Sequence, residues 1–89
     1  MEYIWIFHGL RGTLASAVFS SKEIAENWIN ANQVQGILTK YPIDISVYDW
    51  TIEQGYFNPK SPEQLTPDYI QKFSSAYCEH YHYINEDEL

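Results

Sequence analysis

Eighty-nine residues leave room for one domain, so separate catalytic and regulatory modules are excluded. Hydrophobic residues make up 45% of the chain and charged residues 19%, a composition that rules out a disordered polyelectrolyte. Five Lys and Arg against twelve Asp and Glu give a formal charge of −7, and such a field repels a phosphate backbone, which argues against direct nucleic-acid binding.

Tyr3-Ile4-Trp5-Ile6-Phe7 is apolar on both faces and rich in β-branched and aromatic residues, the pattern of a strand covered on both sides. Gly9 and Gly12 around Leu10 and Arg11 predict a hairpin, with a second strand over 14–19 whose Ala15, Ala17 and Phe19 share one face and whose Ser16 lies on the other. Ser20-Ser21-Lys22-Glu23 has the S-x-x-E form that starts a helix. Ile24, Ala25, Trp28 and Ile29 then recur at helical spacing and place one stripe toward the sheet. Trp28 against the small alanines is the expected centre of the core, and Gly36 the expected stop of the helix.

Residues 36–41 read as a strand ending before Pro42, and Ile43, Ile45 and Val47 alternate with Asp44, Ser46 and Tyr48 in the period of a half-buried strand. Asn58-Pro59-Lys60-Ser61-Pro62 is loop-like, whereas Thr66-Pro67-Asp68 supplies a cap, a first-turn proline and an acidic residue for a second helix anchored by Ile70 and Phe73. From Ala76 the chain alternates again, with Tyr77, Tyr81 and Tyr83 on one side of a last strand and Cys78, His80 and His82 on the other. The order ββαββαβ predicts one α+β domain over 1–89: an antiparallel or mixed sheet of four to five strands, two helices packed mainly on one face, and an acidic tail over 84–89.

Cys78, His80 and His82 carry the sharpest chemistry, since a thiolate and two imidazoles at alternate strand positions suit zinc, with His8 or Glu86 as a possible further ligand. A nucleophilic Cys78 with His80 as base lacks both an orienting third group and a glycine-rich turn to stabilise an oxyanion. Asp44 and Asp49 fall on opposite faces of a regular strand, and Asp49 meets Glu53 only if that stretch is helical. Gly9-x-x-Gly12 with Arg11 reads as a turn rather than a phosphate cradle. No constellation specifies an enzyme, and no cofactor is called for.

Cys78 is the one cysteine, so no internal disulfide can form and a reducing, cytoplasmic setting is expected. The apolar start lacks a basic leader and is too short for a membrane span. Eight tyrosines beside an acidic C-terminal third suggest a protein-binding surface, with Tyr48, Tyr77, Glu79, Tyr81, Tyr83, Glu86 and Glu88 as its candidate residues.

Three stretches taken in order, Trp5-Ile6-Phe7-His8-Gly9, then Val18-Phe19-Ser20-Ser21 to Ala25-Glu26-Asn27-Trp28-Ile29, then Tyr41-Pro42-Ile43-Asp44-Ile45-Ser46-Val47-Tyr48-Asp49-Trp50, together with Glu79-His80-Tyr81-His82-Tyr83, resemble a family of small bacterial domains of unknown function. The resemblance implies a bacterial source and a single domain, and it transfers no activity. The expected function is protein binding, in its most concrete form an immunity-protein or antitoxin-like inhibitor of a basic, nuclease-like toxin. The alternatives are a metal-dependent enzyme or sensor on Cys78, His80 and His82, and a structural module that pairs with itself as a homodimer.

Overall fold

The computed structural model describes residues 2–84. The first apolar run forms β1 (Tyr3–Gly9), which lies between β2 (Ala15–Phe19) and β3 (Gly36–Pro42), and β4 (His80–Tyr83) pairs with the far side of β3. Every pairing is antiparallel, giving one four-stranded sheet in the order β2-β1-β3-β4 within an α+β fold. The two-sided apolar character of β1 follows from this inner position: Trp5 and Phe7 are buried on one face, and Ile4 and Ile6 are half-buried on the other.

Cross-strand register collects the core. Phe7 stands opposite Ala17 on one side and Leu38 on the other, and Leu38 stands opposite Tyr81. Helix α1 (Lys22–Asn32) covers this face with Ala25 and Ile29, which are enclosed with Trp5, Phe7 and Leu38. Each large side chain buried here contributes about 1.5 to 3 kcal/mol. Trp28 lies at the margin of this cluster, half-buried and edge-on to Phe7 at 5.5 Å and 71° and tilted against Phe19 at 5.5 Å. The centre of the core is therefore Phe7 and Leu38 under Ala25, one strand inward from the expected place, while Ile24 at the outer edge of the helix stays 52% exposed.

The local signals hold with shifts of a residue or more. Ser21, not Ser20, caps α1, its Oγ accepting the Ile24 N–H at 3.2 Å, so Glu23 occupies the second helical position and cannot close a capping box. The helix ends at Gln33, left-handed at φ 52°, and not at Gly36. Gly36 has another task, because a Cβ there would lie 2.2 Å from the His8 carbonyl oxygen and 2.8 Å from the Phe7 ring, and only glycine lets β3 approach β1 at this point. In β2, Ala17 pairs with Phe7 but Ala15 with His8, so Ser16 is a bulge residue. The bulge turns Ser16 toward the α1 side, where it lines a hollow with Phe7 and Trp28, and removes Ala15 from the face shared by Ala17 and Phe19.

The strand expected over 43–48 is instead a turn and a helix. Pro42 ends β3, Asp44 adopts a left-handed φ of 65°, and Ser46 caps α2 (Val47–Glu53) by accepting the Asp49 N–H at 2.9 Å while its hydroxyl donates to the Asp49 carboxylate at 2.9 Å. Ser46 is a serine cap like Ser21, here with Asp49 at the third helical position, and it overrides an alternation only three apolar residues long. A 3-10 turn (Pro62–Leu65) and α3 (Pro67–Gln71) follow, the latter capped by Thr66 as its sequence predicts. Tyr69 and Phe73 anchor α3 to α2, and Ile70 remains 38% exposed. Val47 and residues 73–76 line a cleft with Ile37, Thr39, Tyr41 and His80, so this second unit meets the sheet face opposite α1.

Candidate functional site

The second unit is held together by aromatic rings. Tyr48, 6% exposed, meets Phe57, Tyr69 and Phe73 edge to face at 5.7, 6.3 and 5.3 Å, and its hydroxyl donates to the Gln64 carbonyl oxygen at 2.6 Å. Thr51 is fully enclosed and donates its hydroxyl to the Tyr48 carbonyl, while its own carbonyl accepts the Tyr56 and Phe57 N–H groups and folds the chain back behind α2. That return places Tyr56 beside Trp50, with rings 5.8 Å apart and inclined at 62°.

Tyr56 then stacks on Tyr77, with centroids 4.3 Å apart and planes within 8°. Both are open to solvent, Tyr56 at 47% and Tyr77 at 63%. Behind them the Trp50 indole N–H is buried and, among the described residues, has no acceptor. Ile52, Leu65 and Ile70 are further exposed apolar side chains of the same unit. Residues 44–79 hold six carboxylates against two lysines, a net charge of −4, and Lys72 is already paired with Asp68 at 3.2 Å. Two stacked, solvent-exposed tyrosines in an acidic segment have the composition of a protein-binding surface.

The candidate residues separate into distinct environments. Tyr77 is exposed in a turn before β4, not on the strand. Tyr81 and Tyr83 face α1: Lys22 lies 3.7 Å above the Tyr81 ring, and the Tyr83 hydroxyl donates to Glu26 at 2.7 Å. Tyr81 also donates to Glu79, and that hydrogen bond, with desolvation and the Glu79 charge added, holds its phenol above the ordinary range. Burial first, then the Glu26 bond, pushes the Tyr83 phenol up in the same way. Tyr48 is the buried hub described above, and Glu79 is exposed. Glu86 and Glu88, with the tail from residue 85 on, lie outside the described residues. Tyr56 stands in sequence among the contact-type tyrosines of the middle third but not among the candidate residues; its distinguishing signal is Gly55, which at φ 79° lets the chain turn after α2.

The cysteine and histidines do not share one strand face. Cys78 precedes β4 and is 2% exposed, and burial pushes its thiol up, away from the thiolate that both metal binding and nucleophilic attack require. His80 and His82 are neighbours on the face opposite α1, with rings 5.4 Å apart. His8 is on that face too, but Ile37 stands between it and His82, which separates the two by two strand spacings, about 10 Å. Among the described residues no group of three or more His, Cys, Asp or Glu could hold a metal ion. Arg11 sits at the tip of the β1–β2 turn with φ 68°, where the Gly12 carbonyl accepts from the His8 Nε2 at 2.9 Å.

Among the described residues no helix is long and apolar enough to cross a membrane. Neither the curated proteins nor the solved structures contain a match to this chain. A family model described as Domain of unknown function (DUF7710) matches residues 4–88, and the chain belongs to that family.

Proposed function

We propose that the chain is a protein-binding domain and that its docking surface is the Tyr56–Tyr77 pair with the acidic side chains of residues 44–79. The observation that carries the reading is the parallel stack itself: two rings 4.3 Å apart, both open to solvent, with Trp50 against Tyr56. Rings already ordered before binding lose little conformational freedom when a partner covers them. The net charge of −4 in this segment favours a basic partner and speeds encounter with it. The most concrete form of the reading is a cytoplasmic inhibitor of the immunity or antitoxin type, which covers the nucleic-acid-binding face of a basic, nuclease-like toxin without catalysing a reaction.

Co-expression with the product of the neighbouring gene tests that form by growth. The inhibitor reading predicts that a toxic neighbour is neutralised by the wild-type chain and not by the Tyr56→Ala/Tyr77→Ala double variant. A neighbour that is harmless, or that kills equally with and without the chain, overturns it.

A further inference from the structure

On the sheet face opposite α1, a cleft of about 260 Å³ lies between β3 and residues 73–76. Its apolar lining comes from Ile37, Val47 and Phe73, and its polar lining includes Thr39, Tyr41 and His80. Among the described residues no Asp, Glu, Lys or Arg lines it.

The neighbour of this histidine sets the tautomer of its neutral ring. Its Nδ1 lies 2.7 Å from the Cys78 carbonyl oxygen. A carbonyl can only accept, so Nδ1 carries the proton, and in the neutral ring Nε2 is left as an acceptor. His80 is among the residues that line the cleft, which thus brings an apolar wall together with hydroxyl-bearing residues and an imidazole whose Nε2 is an acceptor in the neutral ring.

We propose that this cleft is a binding site for a small neutral molecule that has an apolar body and one hydroxyl or N–H donor, a molecule of the size and character of a phenol. Neutrality follows from the uncharged lining, since an ion would give up its hydration there without a counter-charge. Size follows from the volume, which corresponds to roughly nine waters at about 30 Å³ each and lies just under the usual range for small-molecule pockets. The donor requirement is part of the proposal: an Nε2 turned into the cleft loses its own hydration when the cleft is filled and must be compensated by the ligand.

Nuclear magnetic resonance on the unaltered protein tests this with phenol and anisole as probes, since anisole keeps the ring and lacks the donor. Phenol is expected to shift the signals of Thr39, Tyr41, Phe73 and His80 in a saturable way, with anisole binding about tenfold more weakly for the lost hydrogen bond. His80→Phe, which keeps a ring and removes the acceptor, is expected to abolish that preference. The ring nitrogens of His80 in the wild type give an independent reading that needs no variant: the proton belongs on Nδ1. The proposal is overturned by a proton on Nε2, by phenol shifts that fail to saturate or that lie elsewhere, or by equal affinity for the two probes.

Discussion

Tyr48 is the side chain on which the second unit depends, and its removal has two separable parts. Tyr48→Phe keeps the ring among Phe57, Tyr69 and Phe73 and deletes only the hydroxyl that donates to the Gln64 carbonyl. The loss of one well-formed bond and the stranding of its acceptor cost about 1 to 2 kcal/mol. Tyr48→Ala also empties a site that is 6% exposed, and an aromatic-to-alanine change in such a place costs about 3 to 5 kcal/mol. A chain of 89 residues has a total stability of about 4 to 13 kcal/mol at the usual value per residue, so the second variant sits near the edge of folding.

Urea titration resolves both parts, because the three tryptophans report on different places: Trp50 on the second unit, Trp5 and Trp28 on the sheet and α1. At a slope of about 1 kcal/mol per molar urea, the phenylalanine variant should lose about 1 to 2 M in midpoint and the alanine variant about 3 M or more. A midpoint for Tyr48→Ala within 0.5 M of wild type, by a slope of about 1 kcal/mol per molar, would refute the placement of this ring in a core and return it to the surface role that its sequence position suggested.

Other perturbations reach the remaining joints of the fold. Gly36→Ala drives a Cβ to 2.2 Å from the His8 carbonyl oxygen, and parting β1 from β3 should cost at least about 3 kcal/mol; calorimetry showing a loss under 1 kcal/mol would contradict that geometry. Ser46→Ala removes the cap of α2 and should cost about 1 kcal/mol, measured by the same urea titration, whereas Ser20→Ala should cost almost nothing because Ser21 is the cap of α1. Cys78 and Tyr83 both hold their protons more tightly in the folded chain than in the unfolded one. The unfolded chain therefore deprotonates first, and stability should be level up to the ordinary thiol value of 9.0 and fall as pH rises through that value and then through 10.0, with a smaller fall in Cys78→Ala and Tyr83→Phe. A stability profile flat from pH 8 to pH 11, on either side of those ordinary values, would show that neither group is protected.

The sequence was most legible where local chemistry and burial agreed. β1 was readable because an inner strand needs apolar residues on both faces, α1 because its apolar residues recur at helical spacing although the cap is Ser21 and not Ser20, and α3 because Thr66 sits directly before it. Residues 43–48 were misread because three alternating apolar residues imitate a strand, while the Ser46 cap and the left-handed Asp44 decide for a turn and helix. The bulge at Ser16 left no composition signal, since it is fixed by the pairing of β2 with β1. The tyrosines were recognisable as a group but not sortable: ring position depends on which element each one packs against, and only the fold separates Tyr77 from Tyr81, Tyr83 and Tyr48. The pairing of Tyr56 with Tyr77, 21 positions apart in the chain, was invisible for the same reason.

The protein-binding account rests on the exposed stack, and a photo-reactive phenylalanine placed at position 77 in cells of the native host tests it most directly. The account predicts a single dominant adduct with a basic protein, weakened when Glu53→Lys reverses an acidic charge three residues before Tyr56 and absent when the same reactive residue replaces Val18, an exposed position on β2. Adducts of equal yield and identity from positions 77 and 18, or none from position 77, would contradict it.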